Sequence, residues 1–141
     1  MAQLKSPLEE QVEFLRAKSF TLLTEGNYEE REKVLLEAWE LLPLPKEQWE
    51  VSFTLAYYLI NGYIKMNTPL KAKKWAEIIF DCDPERKSHG ERELYAGIVA
   101  YELGDFEKAR EYFDIVQKDS GGRLWKRPNV MKYFKFYNEK K

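Results

Sequence analysis

At 141 residues, with 44% hydrophobic and 33% charged side chains, the chain is long enough for one core and too short for a separate catalytic domain beside it. Nine Tyr, eight Phe and four Trp exclude a disordered chain, because rings in that number belong to packed surfaces. The net charge of −1 hides a polarised distribution: residues 1–122 carry 16 basic and 23 acidic side chains, a net −7, whereas residues 123–141 carry seven basic side chains against Glu139 alone, a net +6.

The lone Cys82 excludes an internal disulfide, and no apolar run reaches the length that spans a bilayer. The opening MAQLKSPLEEQVEFLRAKS lacks an apolar signal core with a small-residue cleavage site, and its glutamates do not suit a transit peptide. A cytoplasmic protein with no membrane partner is expected.

The first helix starts on Ser6 as cap, Pro7 in the first turn and Glu9-Glu10 behind it. Its apolar residues Leu8, Val12, Leu15, Leu22 and Leu23 keep helical spacing as far as Thr24. Gly26-Asn27 ends it, and a second helix runs from Tyr28 or Glu29 to about Leu42, where the two prolines of LPLPK stop it. A third runs from about Lys46 through EQWEVSFTLAYYLINGYI; MNTP supplies a turn with Thr68 as cap before Pro69, and LKAKKWAEIIFDCD is its partner, ended by Pro84. DPERKSHGERE is polar throughout and reads as a connection without a buried face. ERELYAGIVAYEL and DFEKAREYFDIVQKD pair around Gly104, Ser120-Gly121-Gly122 breaks the chain, and Val130, Tyr133, Phe134 and Tyr137 share one face of a last helix over 129–138. No stretch combines β-branched residues with strict alternation, so no strand is expected. The reading is all-α in a single domain over 1–141, with helical pairs at about 8–43, 46–84 and 88–120 and a terminal helix at about 129–138.

The pairs repeat. EGNYEEREKVLLEAWELLP (25–43), MNTPLKAKKWAEIIFDCDP (66–84) and LGDFEKAREYFDIVQKDSG (103–121) superpose without gaps. Arg31, Ala72 and Ala109 share one column, Leu35, Ala76 and Phe113 a second, and Ala38, Ile79 and Val116 a third. Such a unit cannot bury its face alone and stacks on its neighbours. The pattern resembles the tetratricopeptide repeat (TPR). The third unit carries it best, with Gly97, Tyr101, Gly104, Asp105, Phe106, Ala109, Phe113 and Val116; the second shows Ala72, Ala76, Ile79 and Pro84, with Asn67 in place of the turn glycine. The first shows Gly26, Tyr28, Leu35, Ala38 and Pro43, but Arg31 stands where the family has alanine, which suggests a solvent-facing or altered end. The resemblance implies a right-handed α-α superhelix of three helical hairpins with a C-terminal capping helix. A second resemblance, carried by EAWELLPLPKEQWEVS, YELGDFEKAREYFD and the ending GGRLWKRPNVMKYFKFYNEKK, is to small TPR-like proteins associated with bacterial polymorphic toxins as immunity proteins. It implies a protein that binds and neutralises a cognate toxin domain.

Chemistry finds little to use. His89 is the one histidine, and Asp81, Cys82, Asp83 and His89 lack the paired spacing of zinc or the regular oxygens of a calcium loop. The glutamate pairs Glu9/Glu10, Glu29/Glu30 and Glu91/Glu93 read as solvated helix faces, and Gly121-Gly122-Arg123 lacks the lysine of a phosphate loop. No enzyme, no catalytic residue, no metal and no cofactor is expected. The repeat register instead turns the first helix of each pair toward a groove. Its candidates are Arg16, Phe20 and Leu23, then Tyr57, Asn61, Ile64 and Lys65, then Glu91, Leu94, Ile98, Tyr101 and Glu102. Rings with a few charges suit a protein or peptide. Phe20, Ile98 and Tyr101 have core packing as their other reading, with the groove filled by a terminal helix. The alternative functions are a generic TPR adaptor or chaperone, or nucleic-acid binding through Arg123, Lys126, Arg127, Lys132 and Lys135 among Trp125, Tyr133, Phe134 and Tyr137. The net −7 of the preceding residues opposes the last of these.

Overall fold

The computed structural model describes residues 7–83 and 90–139; Ser6, Pro84 and His89 lie outside them. The α-helices are α1 (Leu8–Thr24), α2 (Tyr28–Glu40), α3 (Glu50–Lys65), α4 (Pro69–Ile78), α5 (Glu91–Glu102), α6 (Phe106–Ser120) and α7 (Met131–Asn138). Short 3-10 turns occupy Lys46–Gln48, Ile79–Asp81, Arg123–Lys126 and Pro128–Val130, and no strand occurs among the described residues. The helices pair as α1 with α2, α3 with α4 and α5 with α6, and α7 is a distinct C-terminal helix. The chain divides into two compact units, Met1–Arg86 and Lys87–Lys141.

The three turns inside the pairs are built alike. Gly26, Asn67 and Gly104 all take positive φ, at 74°, 56° and 86°. Their N–H groups donate to Leu23 O, Ile64 O and Tyr101 O at 3.0, 3.1 and 3.0 Å. The next N–H in each turn reaches five residues back, from Asn27 to Leu22 O, from Thr68 to Tyr63 O and from Asp105 to Ala100 O, at 2.9, 2.8 and 2.9 Å. This is the Schellman arrangement, which satisfies carbonyls that a helix end leaves open and requires a left-handed residue. Asparagine tolerates that conformation, which is why Asn67 replaces glycine without breaking the register. Asn27 and Asp105 then cap the following helices by accepting from Glu30 N–H and Lys108 N–H. Thr68 does not: its hydroxyl donates backward to Tyr63 O at 3.1 Å, so α4 starts on Pro69 without a side-chain cap.

All nine column positions are buried. Ala72 and Ala109 are fully enclosed, as are Leu35, Ala38, Ile79, Phe113 and Val116. Arg31 is buried with them, 5% exposed, which overturns the solvent-facing alternative for this end and leaves the altered one.

The third helix begins later than its sequence suggests. Lys46 is spent on the end of α2, where its ammonium donates to Trp39 O, Glu40 O and Leu42 O at 3.3, 3.0 and 2.9 Å. A cation at the carbonyl end of a helix satisfies open acceptors and opposes the dipole. The chain then passes through extended backbone at Trp49, whose indole donates to Pro43 O at 2.8 Å, and α3 starts at Glu50. The stretch read as a connection without a buried face does contain buried residues, Asp83 and Arg92. Asp83 N–H donates to Glu47 O at 2.7 Å, which ties that end of the chain to the Lys46 turn. The last helix starts at Met131 because 3-10 turns take up Arg123–Val130.

Candidate functional site

Arg16 and Phe20 lie on α1, and Tyr57, Asn61, Ile64 and Lys65 on α3, all within the first unit. Phe20 is 64% exposed and Lys65 is exposed, while Arg16, Leu23, Tyr57, Asn61 and Ile64 are half-buried. Arg16 pairs with Glu13 one turn earlier, Nη2 to Oε2 at 2.8 Å. That hydrogen bond, outweighing partial burial, raises its pKa, with a further contribution from Tyr58. Tyr57 packs edge-on against Tyr58, centroids 4.8 Å apart, and Phe53 lies 6.0 Å from Tyr57.

Against the Tyr58 ring sits Arg31. Its Nη1 donates to Tyr58 O at 3.2 Å, its Cζ lies 5.5 Å from the centroid of the Tyr58 ring, and its Nε is buried without an acceptor. No carboxylate pairs with it among the described residues. Burial lowers its pKa, and Tyr58, Tyr28 and Tyr57 partly offset this; a guanidinium remains charged at any physiological pH. Space for it exists because residue 62 is glycine: a Cβ there would stand 2.9 Å from Nη1. Sequence reasoning missed Arg31 as part of the site. The signal was present in its departure from alanine in the repeat column, but its complement, Gly62, lies on another helix. Nearby, an open depression of about 780 Å³ is lined by Asn27, Tyr28, Thr68, Glu32 and Lys71 among others. Glu32 there accepts from Tyr63 Oη at 2.9 Å and pairs with Lys71 at 3.8 Å.

In the second unit the candidates divide differently. Leu94 and Ile98 are core side chains, 0% and 5% exposed. Glu91, Tyr101 and Glu102 are met by the terminal segment. Arg127 Nη2 donates to Glu91 at 3.0 Å and its Nη1 to Tyr95 Oη at 3.2 Å. Burial opposes the charge of Arg127, but the hydrogen bond to Glu91 and the nearby Tyr95 outweigh it, and its pKa is raised. Glu102 accepts from Lys132 at 2.8 Å and from Tyr133 Oη at 2.7 Å. The hydrogen bond to Glu102 raises the Lys132 pKa. Tyr101 packs against Tyr133 and Phe136 with centroids 5.3 and 4.9 Å apart.

The five basic candidates are thereby separated: Arg127 and Lys132 hold the terminal segment to α5, and Arg123, Lys126 and Lys135 stay exposed. The rings between them face inward. Trp125, Tyr133 and Tyr137 are buried, and Phe134 stacks on Trp125 at 5.2 Å.

Among the described residues no group of His, Cys, Asp and Glu is placed to hold a metal ion, and no helix is long and apolar enough to cross a membrane. Compared with protein-family models, with curated proteins and with solved structures, the chain matches none.

Proposed function

We propose that this chain is a protein-binding module of TPR-like helical pairs, and that it acts in the bacterial cytoplasm as an immunity protein that binds and neutralises a cognate toxin. The observation that carries the docking part is the exposed Phe20 ring on α1, one turn after half-buried Arg16, in the same compact unit as half-buried Tyr57 and Asn61 on α3. A ring held on packed helices gives contact area with little ordering cost, and the charge beside it gives orientation. The finer fold reading, a right-handed TPR superhelix, is supported by the three matching turns and the three buried columns. The toxin part rests on the resemblance of the ending GGRLWKRPNVMKYFKFYNEKK. No catalytic role is assigned to any residue.

The experiment is co-expression with the product of the open reading frame immediately upstream. That product is expected to be toxic alone, tolerated when this chain is in excess, and recovered with it in a stoichiometric complex. Undiminished toxicity with this chain in excess removes the immunity reading and leaves a generic adaptor or chaperone. Exposed Arg123, Lys126 and Lys135 favour nucleic acid as a second reading. Filter binding separates the two, since phosphate-driven binding weakens steeply with salt and is lost when those residues are made neutral.

A further inference from the structure

We infer that Arg31, beside the ring of Tyr58, forms a carboxylate-binding site on the first unit, and that the bound group is an acidic side chain of the protein partner. The partner's identity as a protein rests on the docking reading above; the site itself rests on Arg31.

A guanidinium offers five N–H donors. Arg31 uses Nη1 on Tyr58 O, while among the described residues Nε is buried with no acceptor and Nη2 has no hydrogen-bond partner. A buried cation without its counter-charge is strongly unfavourable, and an apolar side chain of similar volume packs better in such a place. The carboxylates that neighbour Arg31 in sequence are engaged elsewhere: Glu30 with Lys33, and Glu32 with Tyr63 and Lys71. Glu13 is held by Arg16. The other two pairs place alanine in this column, so the packing of a pair does not itself require a charge. Nε is enclosed, so Nη2 is the donor left for a ligand's carboxylate.

The surroundings specify the ligand. Tyr58 places its ring 5.5 Å from the Arg31 Cζ. Tyr57 packs on Tyr58 at 4.8 Å and both rings are half-buried, so aromatic surface lies beside the cation. Residues 1–86 carry 11 basic and 15 acidic side chains, a net −4. That background opposes a run of phosphates and admits a single carboxylate delivered by a larger apolar contact.

The test is side-chain NMR of the arginine Nε–Hε groups in the full chain, titrated with acetyl-glutamate methylamide, with the glutamine analogue as neutral control. The glutamate probe is expected to move the Arg31 resonance saturably and the glutamine analogue to leave it in place. Arg31→Met removes the charge and keeps the volume; affinity for the glutamate probe is expected to fall at least about tenfold. Gly62→Ala provides a second variant that keeps the charge and displaces Nη1, with a loss in the same direction. An Arg31 resonance unmoved by the glutamate probe, or an Arg31→Met chain that binds it as the wild type does, overturns the site. Tighter binding of a single-stranded oligonucleotide to this site than of the carboxylate overturns the assignment to an acidic side chain. A partner captured equally by wild type and Arg31→Met removes the site and leaves docking intact, whereas a glutamate response without any captured partner supports the site and removes the docking reading alone.

Discussion

Gly97 on α5 lies directly against the ring of Phe113 on α6: a Cβ at position 97 would stand 2.5 Å from Cε1 and 2.8 Å from Cδ1. Phe113 is fully buried and its ring meets Trp125 at 5.4 Å, so it has nowhere to retreat. Gly97→Ala is therefore expected to destabilise by about 2–3 kcal/mol despite the better helix propensity of alanine. Gly104→Ala, at φ 86° with open space around it, is expected to cost about 1 kcal/mol from backbone strain alone. Urea unfolding of the two variants checks the order; equal losses would falsify the close contact as the cause.

The Arg31 and Gly62 positions are coupled through size. In the wild type, Gly62→Ala pushes Nη1 off Tyr58 O and is expected to destabilise. With Arg31→Ala already in place nothing obstructs the new methyl, and the same change should stabilise by about 1 kcal/mol, the helix preference of alanine over glycine. A double-mutant cycle by thermal unfolding reads the reversal of sign, and a Gly62→Ala effect that is the same in both backgrounds counts against it.

Three buried phenols set an alkaline limit to stability. Burial, reinforced by hydrogen bonds to Glu32 and Glu102, raises the pKa values of Tyr63 and Tyr133, and burial with a hydrogen bond to Asp114 pushes Tyr137 up to about 12. In the unfolded chain each phenol ionises near pH 10. Stability is thus fully present below about pH 10 and falls as pH rises toward 12, by up to about 1.4 kcal/mol per pH unit for each phenol neutral only in the fold. Urea midpoints between pH 9 and pH 11.5 should fall more shallowly for Tyr133→Phe and Tyr137→Phe than for the wild type.

Phe20 and Ala109 separate binding from folding. Phe20 is exposed, so Phe20→Asp is expected to change stability by no more than about 0.5 kcal/mol while weakening partner capture at least about tenfold. Ala109 on α6 is fully enclosed, and Ala109→Asp is expected to cost about 3–5 kcal/mol through an unpaired buried charge. Circular dichroism melts and co-purification of the two variants give the comparison; a Phe20→Asp chain that unfolds early removes Phe20 from the surface reading.

The helices and their turns were legible because each is written locally. The periodicity of Val12, Leu15 and Leu22 names a buried face, and Gly26, Asn67 and Gly104 mark positions whose backbone few residues tolerate. What was not legible depends on residues far apart in the chain. Arg31 is buried because of a glycine 31 residues later, and Glu102 is engaged by residues 30 and 31 positions away. The groove register selected Leu94 and Ile98 together with Phe20, yet only Phe20 is exposed, since helical phase fixes direction and not what lies in that direction. The late start of α3 escaped for a related reason: Lys46 has good helix propensity, but its ammonium is drawn to three carbonyls at and just after the end of α2.

The distribution of indoles has a practical consequence. Trp39 and Trp75 cross at 5.0 Å and 88° in the first unit, which also holds Trp49. In the second, Trp125 lies in a ring stack, 5.6 Å and 18° from Tyr137, under the terminal segment. Each unit thus carries its own chromophore: a coupled indole pair that gives a near-ultraviolet dichroism signal in one, and a single stacked indole in the other. Trp125→Phe leaves every remaining indole in residues 1–86, so the fluorescence difference between that variant and the wild type isolates the undocking of the terminal segment from the melting of the rest.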